Sequence, residues 1–491
     1  MISRIALALA LGCVIAPAQA IPDRPEKLSF PPISFLVPKA KDYKAKLKNN
    51  IPVFLAPDPT GAPLVRIQVQ WRGGGYLDPK GKEGLASFFG GQLARGGTLK
   101  TEVAKLEDRL EAMAASISSN CGDTNGSLSL QVQEKDLAEG LELFMQTLTE
   151  PAFAQDRFDL AKRSTRQAME RRNDSVTSIA QYQMPFLLFG ESHFSGRADT
   201  TTASLEAITR EDLKAFHDRL LHPDNMVVSV SGKFDRKAML EKLNASLGAL
   251  KAGKDAQISP KVPPPDFQRK PGIYLTDKAA PQAMVEWAFP GMRRTDPDWH
   301  AAVVMNHILG GSFTSRLMKR IRSDEGLTYG VRTNLGDGAH FRGDLRGSLQ
   351  TKNRSSAYTL RIALAEMQRL KDEAIPEAEL KVIKDGLIEA FPSQWSGKTA
   401  TATRFASEAL ANWPEDWWVT YREKIQAVTS ADVQRLARKL LEPDRIVILV
   451  VGNATEIEGG DPDHPGALSA VAKLPFVRLP LRDPLTMKPM N

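Results

Sequence analysis

The feature that most constrains this chain is that it repeats itself. Ile208-Thr-Arg-Glu-Asp-Leu reappears as Val428-Thr-Ser-Ala-Asp-Val, an offset of 428 − 208 = 220 residues. Both copies continue without a gap through a helical stretch to Leu220-Leu221-His222-Pro223-Asp224 and Leu440-Leu441-Glu442-Pro443-Asp444. Each then enters a β-branched run that ends in Gly232 or Gly452. Thr209 and Thr429 read as helix N-caps, with Asp212 and Asp432 three residues on near the positive helix end. The prolines stop the helices. The runs Met226 to Ser231 and Ile446 to Val451 read as buried strands. Two homologous halves of one α+β design are therefore expected.

The stretch 253–272, with Ser259-Pro260 and Pro263-Pro264-Pro265, reads as a stiff linker between an N-terminal domain at 21–252 and a C-terminal domain at 273–458. The tail at 459–491 is rich in Pro and Gly and is expected to run over the surface. Long helices are expected at Thr101 to Ser116, Asp156 to Asn173 and Ala357 to Asp372. With 42% hydrophobic and 25% charged residues, the chain can bury a sizeable core. The net charge of +7 is spread along the chain without a Lys/Arg run, which argues against a nucleic-acid site.

Residues 1–20 read as a signal peptide: Arg4, an apolar stretch from Ile5 to Ile15, and an Ala18-Gln19-Ala20 cleavage site. A periplasmic or secreted location follows. A lipid anchor on Cys13 is disfavoured, because Ala10 stands where Leu is usual. Past that point only Cys121 remains, so no internal disulfide is expected, and a semi-buried structural thiol is the plainer reading. The seven histidines form no H-x-x-x-H pair, and His217 and His222 are poorly spaced for one helix face.

Two stretches carry a family resemblance. Gly84-Leu-Ala-Ser87-Phe-Phe-Gly90-Gly91 through Gly96-Gly97-Thr98 resembles the inverzincin segment of the pitrilysin/insulinase-type zinc peptidases. Active members carry H-x-x-E-H there, two zinc-binding imidazoles one turn apart and a carboxylate that activates water. Here Ser87 and Gly91 occupy the His positions and Gly90 the Glu position. Gln167 and Ala168 fall where the family has its distal zinc Glu. The resemblance implies no metal in this chain. The second stretch, Leu309-Gly310-Gly311 through Ser315-Arg316-Leu317, Ile321-Arg322 and Gly326-Leu-Thr-Tyr329, resembles the family's L-G-G-x-x-x-S-R-L-x-x-x-I-R-x-x-x-G-L-x-Y. It implies that Arg322 and Tyr329 hold the substrate carbonyl, on a helix from about Ser315 to Gly326 with Tyr329 opening the next strand.

The implied architecture is two α/β-roll halves of the metallopeptidase (LuxS/processing-peptidase-like) type in a clam-shell. Some members divide the work between two subunits. The resemblance thus implies a non-catalytic, substrate-binding subunit of a heterodimeric zinc metallopeptidase, with Arg322 and Tyr329 acting in trans, the zinc held by an H-x-x-E-H partner, and peptides as substrates. A peptide-binding or assembly scaffold without peptidase activity stays open. The family's peptide-accepting strand edge would fall within Ser116 to Gln131, near Asn120, Cys121 and Asn125, where an ordinary sheet strand is the alternative.

Overall fold

A computed structural model of the chain describes residues 35–490, except 192, 197–199, 258, 266–269 and 337. The stretch read as a signal peptide, with Cys13, lies outside the described residues. From Val37 onward the chain is one unit.

That unit holds two six-stranded sheets. The first contains β1 (Lys44–Lys46), β2 (Pro52–Pro57), β3 (Leu64–Arg72), β4 (Ser116–Cys121), β5 (Asn125–Gln133) and β6 (Met226–Gly232), in the order β1-β2-β6-β3-β5-β4. The second contains β7 (Gly272–Asp277), β8 (Gln282–Pro290), β9 (Val331–Leu335), β10 (Asp344–Lys352), β11 (Val447–Gly452) and β12 (Phe476–Leu479), in the order β12-β7-β11-β8-β10-β9. Without their outermost strands, β1 and β12, the two sheets share one topology. β2 and β6 run parallel, as do β7 and β11, and the remaining pairs are antiparallel.

The repeated sequence marks build equivalent parts. Thr209 and Thr429 each form a reciprocal capping box, with Asp212 and Asp432, on the helices Arg210–Leu220 and Ser430–Leu440. The strands that follow, β6 and β11, are buried along nearly their whole length, as central strands covered on both faces must be.

One face of the first sheet packs on helices of its own half, in a core that joins Val65, Ile67, Val69 and Trp71 to Phe89, Phe144 and Phe216. The opposite face is covered by a helix from the other half, Lys398–Leu410. Phe405 of that helix meets Tyr43 and Phe54, with ring centroids 5.4 and 6.1 Å apart. The exchange is mutual. Helix Val176–Phe189, of the first half, sets Val176, Ile179, Ala180, Met184 and Leu188 against Met284, Ala288, Val447 and Leu449 of the second sheet. That spacing is one apolar helical stripe. Neither half completes its core without the other's helix.

The tail does more than run over the surface. Phe476–Leu479 adds to the open edge of β7 as the parallel strand β12. Beyond it, the Arg482 guanidinium lies 3.6 Å from the Phe186 ring centroid. Arg172 Nη1 donates to the Pro484 carbonyl at 3.0 Å, and the Thr202 amide to that of Leu485 at 2.8 Å. An unpaired strand edge offers hydrogen bonds to any extended segment within reach, and the short alternation in this tail suffices to take them.

Candidate substrate-handling site

The helix Leu85–Leu93 carries three of the positions matched to the zinc motif. Gly84, its N-cap, has φ 97° and no side chain to offer. The Asp78 carboxylate caps instead, accepting from the Gly84 amide at 2.8 Å and the Ala86 amide at 2.9 Å. The helix then lies directly on β4. Ser119 Oγ donates to the Gly90 carbonyl at 2.6 Å and accepts from the Ala94 amide at 2.9 Å. A Cβ on Gly90 would stand 2.1 Å from the Cys121 amide nitrogen, so no residue but glycine fits this approach. Gly91 has open space around it.

Ser87 and Gly91 are exposed one turn apart and face a cavity of about 490 Å3. Arg95, Leu160 and Ser164 also line it. Gln167 and Ala168, farther along helix Gln155–Glu170, are exposed and do not line it. A hydroxyl, an amide, a methyl and two hydrogens are not a zinc donor set. Among the described residues no group of three or more His, Cys, Asp or Glu is placed to hold a metal ion.

Cys121 is buried, and its thiol is pushed up to about 12, chiefly by burial and then by the charge of Asp78. It stays protonated and is no nucleophile. Several histidines are likewise taken up by structure. His217 sits between Asp218 and the Leu148 carbonyl. His222 bonds the Gln257 carbonyl. His300 stacks on Trp417 and is pushed down to about 4 by burial and by the charges of Lys424 and Arg294.

The second matched stretch is wound differently from expectation. Helix Trp299–Asn306 loosens into wide, i+5 turns over His307–Gly311, and the same winding returns over Met318–Asp324. The Glu325 amide reaches back to the Arg320 carbonyl at 3.2 Å, and the Leu327 amide to that of Ile321 at 2.9 Å. Such widened turns are frequent at functional sites. Gly326, at φ 65°, ends the segment, and Tyr329 precedes β9 by two residues rather than opening it.

The residues around Tyr329 are pinned to β10. Thr328 Oγ1 donates to the Gln350 carbonyl at 2.7 Å, and Thr351 Oγ1 to the Leu327 carbonyl at 2.8 Å. Tyr329 itself is 94% exposed. Arg322 is exposed too, its guanidinium 4.9 Å from the ring centroid of Phe313, which is 72% exposed. Phe313 and Tyr329 are the exposed aromatic side chains among the described residues. Neighbouring arginines are committed elsewhere. Arg316 makes a bidentate pair with Glu379, both contacts 2.8 Å, and Arg320 pairs with Asp324 and Glu325. Arg322 has no carboxylate partner among the described residues.

β4 is the edge strand of the first sheet and, among the described residues, pairs only with β5. Sequence reasoning placed a strand there. It missed the Asp78 cap, the Phe313 platform and the Thr328 anchor. Phe313 left a signal, an aromatic residue inside an otherwise small and polar turn. The other two depend on contacts that no local pattern encodes.

Residues 53–186 match the family model described as insulinase (peptidase family M16), and residues 207–387 match the one described as the peptidase M16 inactive domain. Between them they take in more than half of the chain. The non-peptidase homolog YmxG of Helicobacter pylori is 24% identical over 394 residues, covering 80% of this chain and 89% of that protein. A crystal structure of a peptidase M16 inactive domain from Pseudomonas fluorescens aligns with a TM-score of 0.75 and 23% identity, over 84% of this chain and 97% of that one. The structure of a protease from Helicobacter pylori aligns with a TM-score of 0.71 and 17% identity, over 83% and 98%. The chain belongs to the M16, or insulinase/pitrilysin, peptidase family, as a member whose described residues form no metal site.

Proposed function

We propose that this chain is the substrate-binding, non-catalytic subunit of a two-subunit periplasmic zinc metallopeptidase, joined to a homologous H-x-x-E-H subunit that holds the metal. In this reading the division into domains falls at 253–272. The observation that carries the proposal is Tyr329, 94% exposed yet held to β10 through Leu327 and Thr328 before it and Val331 after it. An uncovered phenol on a fixed backbone is a donor prepared for something outside its own chain. Arg322 adds a guanidinium with no carboxylate partner among the described residues, steadied by the Phe313 ring. Both groups are hydrogen-bond donors. Set on the oxygen of a scissile carbonyl, they would stabilise the negative charge that grows there. The edge of β4 is free to take an extended peptide by main-chain hydrogen bonds.

The test is peptidase activity and bound zinc, measured on this chain alone and mixed with an H-x-x-E-H homologue from the same organism. Activity only in the mixture, with zinc on the partner, is the expected result. Activity and zinc in the isolated chain would sink the proposal. Silence in both supports the second reading, a peptide-binding or assembly scaffold. The name of the Helicobacter pylori relative, a non-peptidase homolog, favours that reading.

A further inference from the structure

The tail crosses from one half of the molecule to the other. Its strand β12 is the outermost strand of the second sheet. Residues 481–490 then fold back as a short hairpin, with the Asp483 amide on the Lys488 carbonyl at 2.8 Å and the Met490 amide on that of Leu481 at 2.7 Å. From Pro480 onward the tail lies on the first half. Pro480 accepts from Gln183 Nε2 at 3.2 Å and Arg482 from Asn173 Nδ2 at 2.7 Å, each through its carbonyl. The carbonyls of Pro484 and Leu485 take Arg172 Nη1 and the Thr202 amide. The tail is thus bonded to both halves.

Gln183 is where the parts meet. It is 4% exposed, on helix Val176–Phe189 of the first half. Its Nε2 holds the tail, and its Oε1 accepts from Thr276 Oγ1 on β7 at 2.5 Å. One buried amide therefore joins a first-half helix, a second-half strand and the tail. Leu479 and Leu481 pack on the core shared by that helix and the second sheet, and Leu485 packs on the core of the first half. Arg482, over the Phe186 ring of the same helix, also donates from Nη1 to the Met487 carbonyl at 2.7 Å.

The seat is nonetheless shallow. Among residues 473–490 only Met487 is buried, and the others are half-buried or exposed. The tail can leave without opening either core. Segments held by few buried contacts open at a lower free energy than the fold as a whole. We propose that the tail is a releasable strap: seated, it clamps helix Val176–Phe189 onto the second sheet, and lifted, it lets that helix loosen. Release also reaches the cleft around Ser87. Arg172, 7% exposed and held by the strap at Nη1, lines a cavity of about 330 Å3 with Ser87 and Cys121. The strap needs no partner subunit, so it stands apart from the division of labour proposed above.

The experiment is residue-resolved hydrogen exchange on the full chain. Two amides report the strap directly: Thr202, bonded to Leu485, and Ile273, which donates to the Pro475 carbonyl at 2.8 Å. Their exchange should depend only weakly on denaturant, far less than that of β6 and β11, because lifting the strap exposes little surface. In the variant Arg482→Ala, Leu485→Asp, exchange along Val176–Phe189 should rise about tenfold or more, as expected for the loss of a cation–π contact and an apolar one. Helix Lys398–Leu410, which lies on the other sheet, should keep its rate, and slow exchange in β6 and β11 will show that the variant is folded. Exchange of Thr202 and Ile273 only together with β6 and β11 would make the tail an integral part of the fold. An unchanged Val176–Phe189 in the variant, or an equal rise in every segment, would mean that the tail does not clamp that helix. Any of these three results overturns the proposal.

Discussion

Each half of the molecule sets a pair of glycines against the edge strand of its own sheet. Gly90-Gly91 and Gly310-Gly311 stand 220 residues apart, the same offset as the capping boxes. In the first half a Cβ on Gly90 would strike the backbone of β4 at Cys121, and in the second a Cβ on Gly310 would come within 2.7 Å of Thr333 on β9. The second members differ. Gly311 is hemmed in, since a Cβ there would stand 2.5 Å from the Asn306 amide group, whereas Gly91 faces open space. Where the family resemblance expects a metal site, the first half thus has the close helix-on-strand contact of the second. The position matched to the general base is closed by packing. The position matched to the second zinc ligand is only unfilled.

The sharpest way to break this comparison is by activity. If the halves divide their labour as proposed, Arg322→Ala should lower turnover of the assembled enzyme by about 10²–10³-fold, the usual cost of one donor to a developing oxyanion. Ser87→Ala, at a position matched to a zinc ligand, should leave it unchanged. Initial rates with both variants in the reconstituted mixture decide the matter. Comparable losses from the two would mean that the first half still does chemistry.

Stability measures the packing side. Gly90→Ala should cost about 3 kcal/mol, the upper range for overpacking, because the two nearest atoms are backbone and the helix must lift off β4. Gly310→Ala should cost about 2 kcal/mol, since the nearest atoms belong to the Thr333 side chain, which can turn slightly. Denaturant midpoints give both values. A Gly90→Ala protein as stable as wild type would show that the β4 contact is loose and that a carboxylate could be rebuilt there.

How much of this the sequence discloses depends on the range of the interaction. The capping boxes at Thr209 and Thr429 and the stops at Pro223 and Pro443 are local, so the repeat and its α+β class are legible from spacing alone. The Arg322 and Tyr329 positions are legible through their motif, but the near-complete exposure of Tyr329 is not. It depends on Thr328 and Thr351 bonding across to neighbouring chain. The helices Val176–Phe189 and Lys398–Leu410 announce an apolar stripe. Periodicity does not say whose sheet that stripe will cover. The demand for glycine at Gly90 is set by Cys121, some thirty residues away, and at the level of sequence it is indistinguishable from the freedom at Gly91. The tail hides β12 because four alternating residues among prolines and glycines look like a connector.

The smallest expected effect separates the two neighbouring glycines most directly. Gly91 is helical and exposed, and an added methyl meets nothing within 4 Å. Alanine there should restrict the unfolded chain and favour the helix, with no clash to offset the gain. Gly91→Ala should therefore stabilise the protein by about 0.5–1 kcal/mol. Gly311→Ala, its counterpart, should destabilise by about 1 kcal/mol, because Asn306 must move and weaken its bond to the Thr333 carbonyl. Opposite signs at positions 220 residues apart, read from the same denaturation series, would establish that only the second half needs both glycines. A loss at Gly91 as well would mean that something fills the cavity beside Ser87, and the first half would then have to be read as a binding surface in its own right.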